Sequence, residues 1–309
     1  EYVRLEDGPT GYDGGLYPSG SNERPAAHVA AGLALAQQVT PLNFAGEPDP
    51  GGRIVMISVG MSNAAMEFRA LIDLFRADPD RHPQLRLING AQPGQIATDW
   101  TDPNAPTWDN VDQLIRDFGL HPNQVQVAWI KNVRTGGGDF PEKAETLQAD
   151  LAAIARALKV RYPNVRLAYL SSRTRGYTYW MGLSPEPAAF ESGFAVKWLV
   201  AQQIAGDPAL NYDPAAGPVV APFLAWGPYL WADGLNPRAD GLVWPQEDLV
   251  ADCTHPSDSG VAKVAAQLLD FFKTDSTTQP WFLANPPQPP PPPPPPIIHY
   301  LPLLGGISD

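Results

Sequence analysis

Five short apolar runs constrain this chain more than any single residue does. They lie at 54–59, 85–88, 125–130, 165–170 and 219–224, and each is followed by a loop or by a segment of helical periodicity. The first reads Ile54-Val55-Met56-Ile57-Ser58-Val59, and a pattern with apolar Ala65, Phe68, Leu71, Ile72 and Phe75 follows it at spacings of three and four. Helices are expected at 26–39, around 111–118, and at 141–162, 187–205 and 257–272. Strands that alternate with helices cannot pair as hairpins. They form a parallel sheet whose crossovers cover both faces. The expectation is therefore an α/β protein, a three-layer α/β/α sandwich around a central parallel sheet of about five strands.

With 309 residues, 44% hydrophobic and 17% charged, the chain can bury one large core. The expected organisation is an N-terminal segment and helix at 1–45 packed on the core, a main domain at 46–284, and a proline-rich tail at 285–309. Residues 1–25, rich in Gly, Pro and Tyr, are expected to be irregular. A net charge of −12 without a basic cluster argues against nucleic acid and anionic membrane surfaces as partners. No run of about 18 apolar residues is present to span a bilayer. The single Cys253 excludes an internal disulfide framework and is expected to be a small residue in a packed loop.

Near the end of the main domain stands Asp252-Cys253-Thr254-His255-Pro256. An imidazole that is to take a proton from serine must be held in one tautomer, and a carboxylate on its other nitrogen does this. The same tetrapeptide before a helix is also ordinary capping chemistry. Ser62 supplies a candidate nucleophile, because the strand run ends in Gly60-Met61 and a helix pattern starts there, at the sheet end where α/β proteins bind ligands. Gly90 and Asn132 end two further runs, where oxyanion donors are needed.

In this order, Ser62, Gly90, Asn132 and Asp252 with His255, the blocks resemble those of the SGNH hydrolases, the GDSL-type esterases and lipases. The resemblance spans roughly 50–275 and implies a flavodoxin-like fold. It further implies Ser62 as nucleophile, His255 as base and Asp252 as its orienter, with Ser62, Gly90 and Asn132 as oxyanion donors. Two blocks depart from the family pattern: Met61 stands where Asp is usual, and Ile130-Lys131-Asn132-Val133 keeps only the Asn of Gly-x-Asn-Asp. The segments Gly14-Gly15-Leu16-Tyr17-Pro18, Ser171-Ser172-Arg173, Pro185-Glu186-Pro187, Glu191-Ser192-Gly193-Phe194 and Trp231-Ala232-Asp233-Gly234 look like those of a little-characterised secreted bacterial branch. The implied protein is an extracellular serine esterase acting on a small ester or an acylated glycan, with no cofactor; His28, His82, His121 and His299 are scattered without metal-ligand spacing, and no metal is expected. A start at Glu1 rather than Met agrees with removal of a signal peptide.

Other features leave two readings open. Trp226, Tyr229, Trp231 and Trp244 present either a carbohydrate-binding face or loop packing. Arg173, Glu186 and Glu191 follow the fourth strand and either bind substrate, together with Trp231, or form a solvated ion pair. The run Pro289 to Pro296 is expected to form a polyproline rod of roughly 25 Å at about 3.1 Å per residue, ending in an apolar tip. Docking of residues 285–309 on a neighbouring copy would make the chain a subunit of an extracellular assembly, a second reading compatible with the first.

Overall fold

The computed structural model describes residues 3–4, 8–9 and 11–287. From residue 288 onward the expected proline rod and apolar tip lie outside the described residues. The elements run, in chain order, β1 (Val3–Arg4), β2 (Gly8–Pro9), α1 (Ala26–Ala36), β3 (Ile54–Gly60), α2 (Ser62–Ala77), β4 (Leu85–Ile88), α3 (Pro106–Asp117) and β5 (Val125–Lys131). Then follow α4 (Glu142–Arg161), β6 (Leu167–Leu170), α5 (Ala188–Ile204), β7 (Phe223–Trp226), α6 (Asp258–Thr274) and α7 (Gln279–Phe282).

Five strands form one parallel sheet in the order β4-β3-β5-β6-β7. Alternation along each strand divides its side chains between two cores. Val55, Ile57 and Val59 face the layer of α3, α4 and α5, with Trp108, Ile115, Leu151, Leu158 and Leu199. Ile54 and Met56 face α2, α6 and α7, with Phe68, Leu71, Leu268, Phe272 and Trp281. Both faces being covered, β3 reads as a continuous apolar run, as buried parallel strands do. The three-layer sandwich with a five-stranded parallel sheet is thus the observed architecture. No helix among the described residues is long and apolar enough to cross a membrane.

The structure departs from the expectation in three places. The last strand is at Phe223–Trp226 rather than 219–224, because Pro218 and Pro222 have no N–H to give a ladder and pairing starts only beyond the second of them. The N-terminal segment is not wholly irregular, since β1 and β2 pair antiparallel. A short helix, α7, buries Trp281 and Phe282 beneath α6, a role its proline-flanked sequence does not announce.

Helix α1 lies against the far edge of the sheet, where buried His28 stacks on Phe223 at 4.2 Å and its Nε2 meets the Leu224 carbonyl at 2.9 Å. A carbonyl only accepts, so this ring nitrogen carries a proton and the imidazole is held neutral. Burial pushes its pKa down from the ordinary 6.5 to about 4. The unfolded chain therefore binds the second ring proton, which makes the imidazolium, more tightly than the folded one, and stability present above pH 6.5 is lost as the pH falls towards 4. The expected loss is about 3 kcal/mol. Urea unfolding at pH 7 and pH 4 checks it: His28→Gln should show a pH slope shallower by that amount.

Candidate active site

The strand order reverses between β3 and β5: the chain goes from β3 outward to β4, then returns to the other side of β3. In open α/β sheets the crevice at such a switch point, beyond the carboxyl ends of the strands, is where ligands bind. Ser62 follows β3, and Asn132 follows β5. Register places Gly60 opposite Lys131, so the two candidate residues leave the sheet side by side.

Gly60 makes the sharp exit from β3 feasible. Its φ is 157°, and a Cβ there would lie 2.2 Å from the Lys131 carbonyl oxygen. Only glycine lets the two backbones approach so closely. Ser62 is then the first residue of α2, whose first helical bond runs from the Ala65 N–H to the Met61 carbonyl at 3.0 Å. The N–H groups of Ser62, Asn63 and Ala64 precede that bond and have no intrahelical acceptor, giving this helix end its positive field.

Residues 252–255 come to Ser62 from the other end of the sequence. The Ser62 hydroxyl lies 2.6 Å from His255 Nε2, and His255 Nδ1 lies 2.5 Å from Asp252 Oδ2. A carboxylate accepts only, so Nδ1–H donates to Asp252 and Nε2 is left to accept from the hydroxyl. The other Asp252 oxygen takes the backbone N–H groups of His255 at 2.9 Å and Thr254 at 3.0 Å. Partial burial alone would raise the Asp252 pKa. The hydrogen bonds from His255 and Thr254 outweigh it and hold the carboxyl below its usual range. The helix-capping alternative does not hold, because α6 starts at Asp258 with Ser257 as its N-cap; Asp252 instead closes a local turn with one oxygen and orients the imidazole with the other.

The loop is tied down on two sides. Asn63, next to Ser62, donates its amide to the Thr254 carbonyl at 2.9 Å, and the Tyr177 N–H donates to the Cys253 carbonyl at 2.8 Å. Cys253 has φ 60° and is half-buried, so the turn uses a left-handed residue between the two members of the pair. Its thiol sits 3.4 Å from the Gln246 amide.

The expected oxyanion donors are placed unequally. Asn132 is buried, its Oδ1 accepts from the Val133 N–H at 2.9 Å, and its Nδ2 has no hydrogen-bond partner. An orphaned buried amide is costly unless something arrives to meet it. Gly90 is needed for close packing, since a Cβ would lie 2.6 Å from the Ser58 carbonyl oxygen. Its N–H, however, already donates to the Ile88 carbonyl at 3.0 Å, a three-residue γ-turn bond.

Sequence reasoning missed the charged pair beneath the site. Lys131 Nζ, at the end of β5, lies 2.5 and 2.7 Å from the two Glu67 oxygens, and both side chains are buried. Burial raises the Glu67 pKa and lowers that of Lys131, while each pulls the other back. Glu67 sits five residues after Ser62, on the apolar face of α2. A carboxylate breaking that face, and a lysine closing a buried strand, were the available signals.

Arg173 is neither exposed nor in a solvated ion pair. It is 4% exposed and donates through Nη1 to the Leu183 and Ser184 carbonyls at 2.8 and 3.1 Å, while Nη2 has no partner. Both Glu186 oxygens are engaged, one by the Trp231 indole N–H at 3.0 Å and the Gly176 N–H at 3.2 Å, the other by the Phe190 N–H at 3.0 Å. Glu186 and Trp231 thereby brace the 173–190 segment beside the 252–255 loop. Of the aromatic cluster, Trp226 and Trp244 are buried in packing, and Trp231 is half-buried, with its ring 4.5 Å from that of Phe190. A cleft of about 470 Å³ opens next to them, between Gly14–Leu16, α5 and Arg238, with Phe190, Trp226 and Tyr229 in its walls.

The class that fold and site define is a doubly wound α/β protein with a Ser-His-Asp relay at its switch point, arranged in the block order of the SGNH hydrolases. Among solved structures the chain is similar to a carbohydrate esterase family 3 protein from Talaromyces cellulolyticus, at 14% identity and a TM-score of 0.39, over 69% of this chain and 93% of that one. It is also similar to an extracellular lipase from Streptomyces rimosus, at 13% and 0.35, over 70% and 100%. A third likeness is to the salicylyl-acyltransferase of a tetracycline biosynthetic pathway, at 17% and 0.37, over 75% and 58%. No family model and no curated protein matches the chain. These likenesses are distant, and the functional reading rests on the geometry of the site itself.

Proposed function

We propose that the chain is an SGNH-type serine esterase, transferring an acyl group from an ester to water. The observation that carries this reading is the continuous relay from Ser62 Oγ to His255 Nε2 at 2.6 Å and from Nδ1 to Asp252 at 2.5 Å. Ser62 Oγ attacks the ester carbonyl carbon, its proton passes to His255 Nε2, and the π pair moves onto the carbonyl oxygen. Collapse expels the alcohol, which takes the proton from His255. Water then repeats the sequence on the acyl-enzyme. Asp252 stays ionised throughout and steadies the imidazolium. Asn132 Nδ2 supplies a preorganised donor to the oxyanion, joined by the Ser62 N–H; the Gly90 N–H joins them by exchanging its γ-turn acceptor for the substrate oxygen.

The substrate we infer is a neutral ester, with acyl groups on a glycan the favoured source, in keeping with an acidic chain. We place the protein outside the cell, as the secreted branch it resembles would be. A fluorophosphonate serine probe tests the mechanism: wild type should label, and Ser62→Ala and His255→Ala should not. A folded wild type that stays unlabelled would overturn the reading. Asn132→Ala should still label, but hydrolyse p-nitrophenyl acetate about 100- to 1,000-fold more slowly, the usual cost of one oxyanion donor. Wild-type turnover in that variant would remove Asn132 from the site.

A further inference from the structure

The N-terminal turn of α2 borders a small void lined by Met61, Asn63, Ala64, Lys131, Asn132, Val133 and Arg173. It offers about 10 Å³ to the centre of a water-sized atom, room for one oxygen and too little for a carboxylate or phosphate. Two side chains on this lining carry buried N–H groups without a partner, Asn132 Nδ2 and Arg173 Nη2, on residues 6% and 4% exposed. The leading residues of α2 add helix N–H groups that precede the first intrahelical bond. Every unpaired group identified here is a donor.

Charge points the same way. Lys131 and Glu67 neutralise one another, wherever their shared proton lies. The guanidinium of Arg173 is spent on two neutral carbonyls, and the carboxylates of half-buried Glu186 and of Glu67 act on it only through space. Burial lowers the Arg173 pKa from an intrinsically very high value, and a guanidinium keeps its charge at physiological pH. A site for one oxygen, lined by two residues with unpartnered buried donors, one of them a cation, and by both chain neighbours of Ser62, suits an oxygen that acquires negative charge.

Resting on the esterase reading, we propose that Arg173 is a further catalytic residue, whose Nη2 donates with Asn132 Nδ2 to the oxyanion of the tetrahedral intermediate. As the Ser62 Oγ–carbon bond forms and the carbonyl π pair moves onto oxygen, that oxygen enters the void and meets both donors. The Gly90 N–H, bound to Ile88 before substrate arrives, makes an additional donor that is charged more valuable here. The arrangement also gives Met61 a function where the family pattern has Asp: an apolar neighbour leaves the cation unquenched, whereas a carboxylate on this lining would compete with the oxyanion.

Two experiments test the proposal. Arg173→Gln should lower kcat for p-nitrophenyl acetate about 100-fold with KM within a few-fold of wild type, and Arg173→Lys should recover part of the loss. Equal kcat in folded Arg173→Gln and wild type would overturn it. Should Arg173→Gln fail to fold, the wild-type protein phosphonylated at Ser62 decides by crystallography. The phosphoryl oxygen is expected within hydrogen-bond distance of Arg173 Nη2; that oxygen turned away, with a water filling the void, would make Arg173 structural. Labelling of wild type by the fluorophosphonate keeps the two readings separable. An unlabelled wild type fails the esterase reading, whereas a labelled one whose adduct ignores Arg173 fails only this inference.

Discussion

Asp252→Asn is expected to lower kcat about 10⁴-fold while leaving the fold intact, by analogy with the same change in a serine-protease triad. Asn keeps the shape and the oxygen that takes the His255 and Thr254 backbone N–H groups, so the loop should hold. What it loses is an acceptor at Oδ2. An amide N–H facing His255 Nδ1 makes that nitrogen the acceptor, and the ring proton moves to Nε2, which faces Ser62 at 2.6 Å. The serine then meets a donor where it needs a base. Steady-state hydrolysis of p-nitrophenyl acetate, together with near-UV circular dichroism, measures this. A loss below tenfold in a folded variant would mean that Asp252 only caps its loop.

The second large effect concerns stability. Glu67→Ala leaves Lys131 as an uncompensated charge in a site where both side chains are almost wholly shielded from solvent, and is expected to cost about 3–5 kcal/mol in urea unfolding. The double change Glu67→Leu with Lys131→Met removes both charges at similar volume and should restore most of that loss, because the pair's attraction only roughly offsets its desolvation. The two should differ in activity as well. Lys131 immediately precedes Asn132, and Glu67 lies on the helix that begins with Ser62, so the pair ties the candidate nucleophile's helix to the strand of its oxyanion donor. A double variant that is stable yet slower than wild type would show that the tie positions the site. Restored stability with full activity would limit its role to packing.

The helices and strands were legible because their patterns are local. The run 54–59 followed by Ala65, Phe68, Leu71 and Phe75 could fold only as a strand and then a half-buried helix, and the structure has β3 and α2 there. The last strand was misplaced because a run containing Pro222 looks apolar, while the ladder needs an N–H that proline lacks. Ser62, Asn132, Asp252 and His255 were legible as types in order, since their chemistry is specific to the residue.

Their meeting was not. Ser62 and His255 are separated by 193 positions, and it is the return of the chain from β7 at the far edge of the sheet to pack α6 against α2 that sets them 2.6 Å apart. Burial was equally hidden. Glu67 and Lys131 gave only the weak signals of a charge on an apolar helix face and at a buried strand's end, and Arg173 with Glu186 suggested substrate binding or a solvated ion pair, because charge is written in the residue but solvent exclusion is a property of everything packed around it. The sequence by itself thus determined the alternation of elements and the chemical types at their ends, which depend on neighbours a few residues away. Tertiary structure alone decided which donors are satisfied and which, like Asn132 Nδ2 and Arg173 Nη2, are buried without a partner, because hydrogen-bond satisfaction depends on contacts between distant segments.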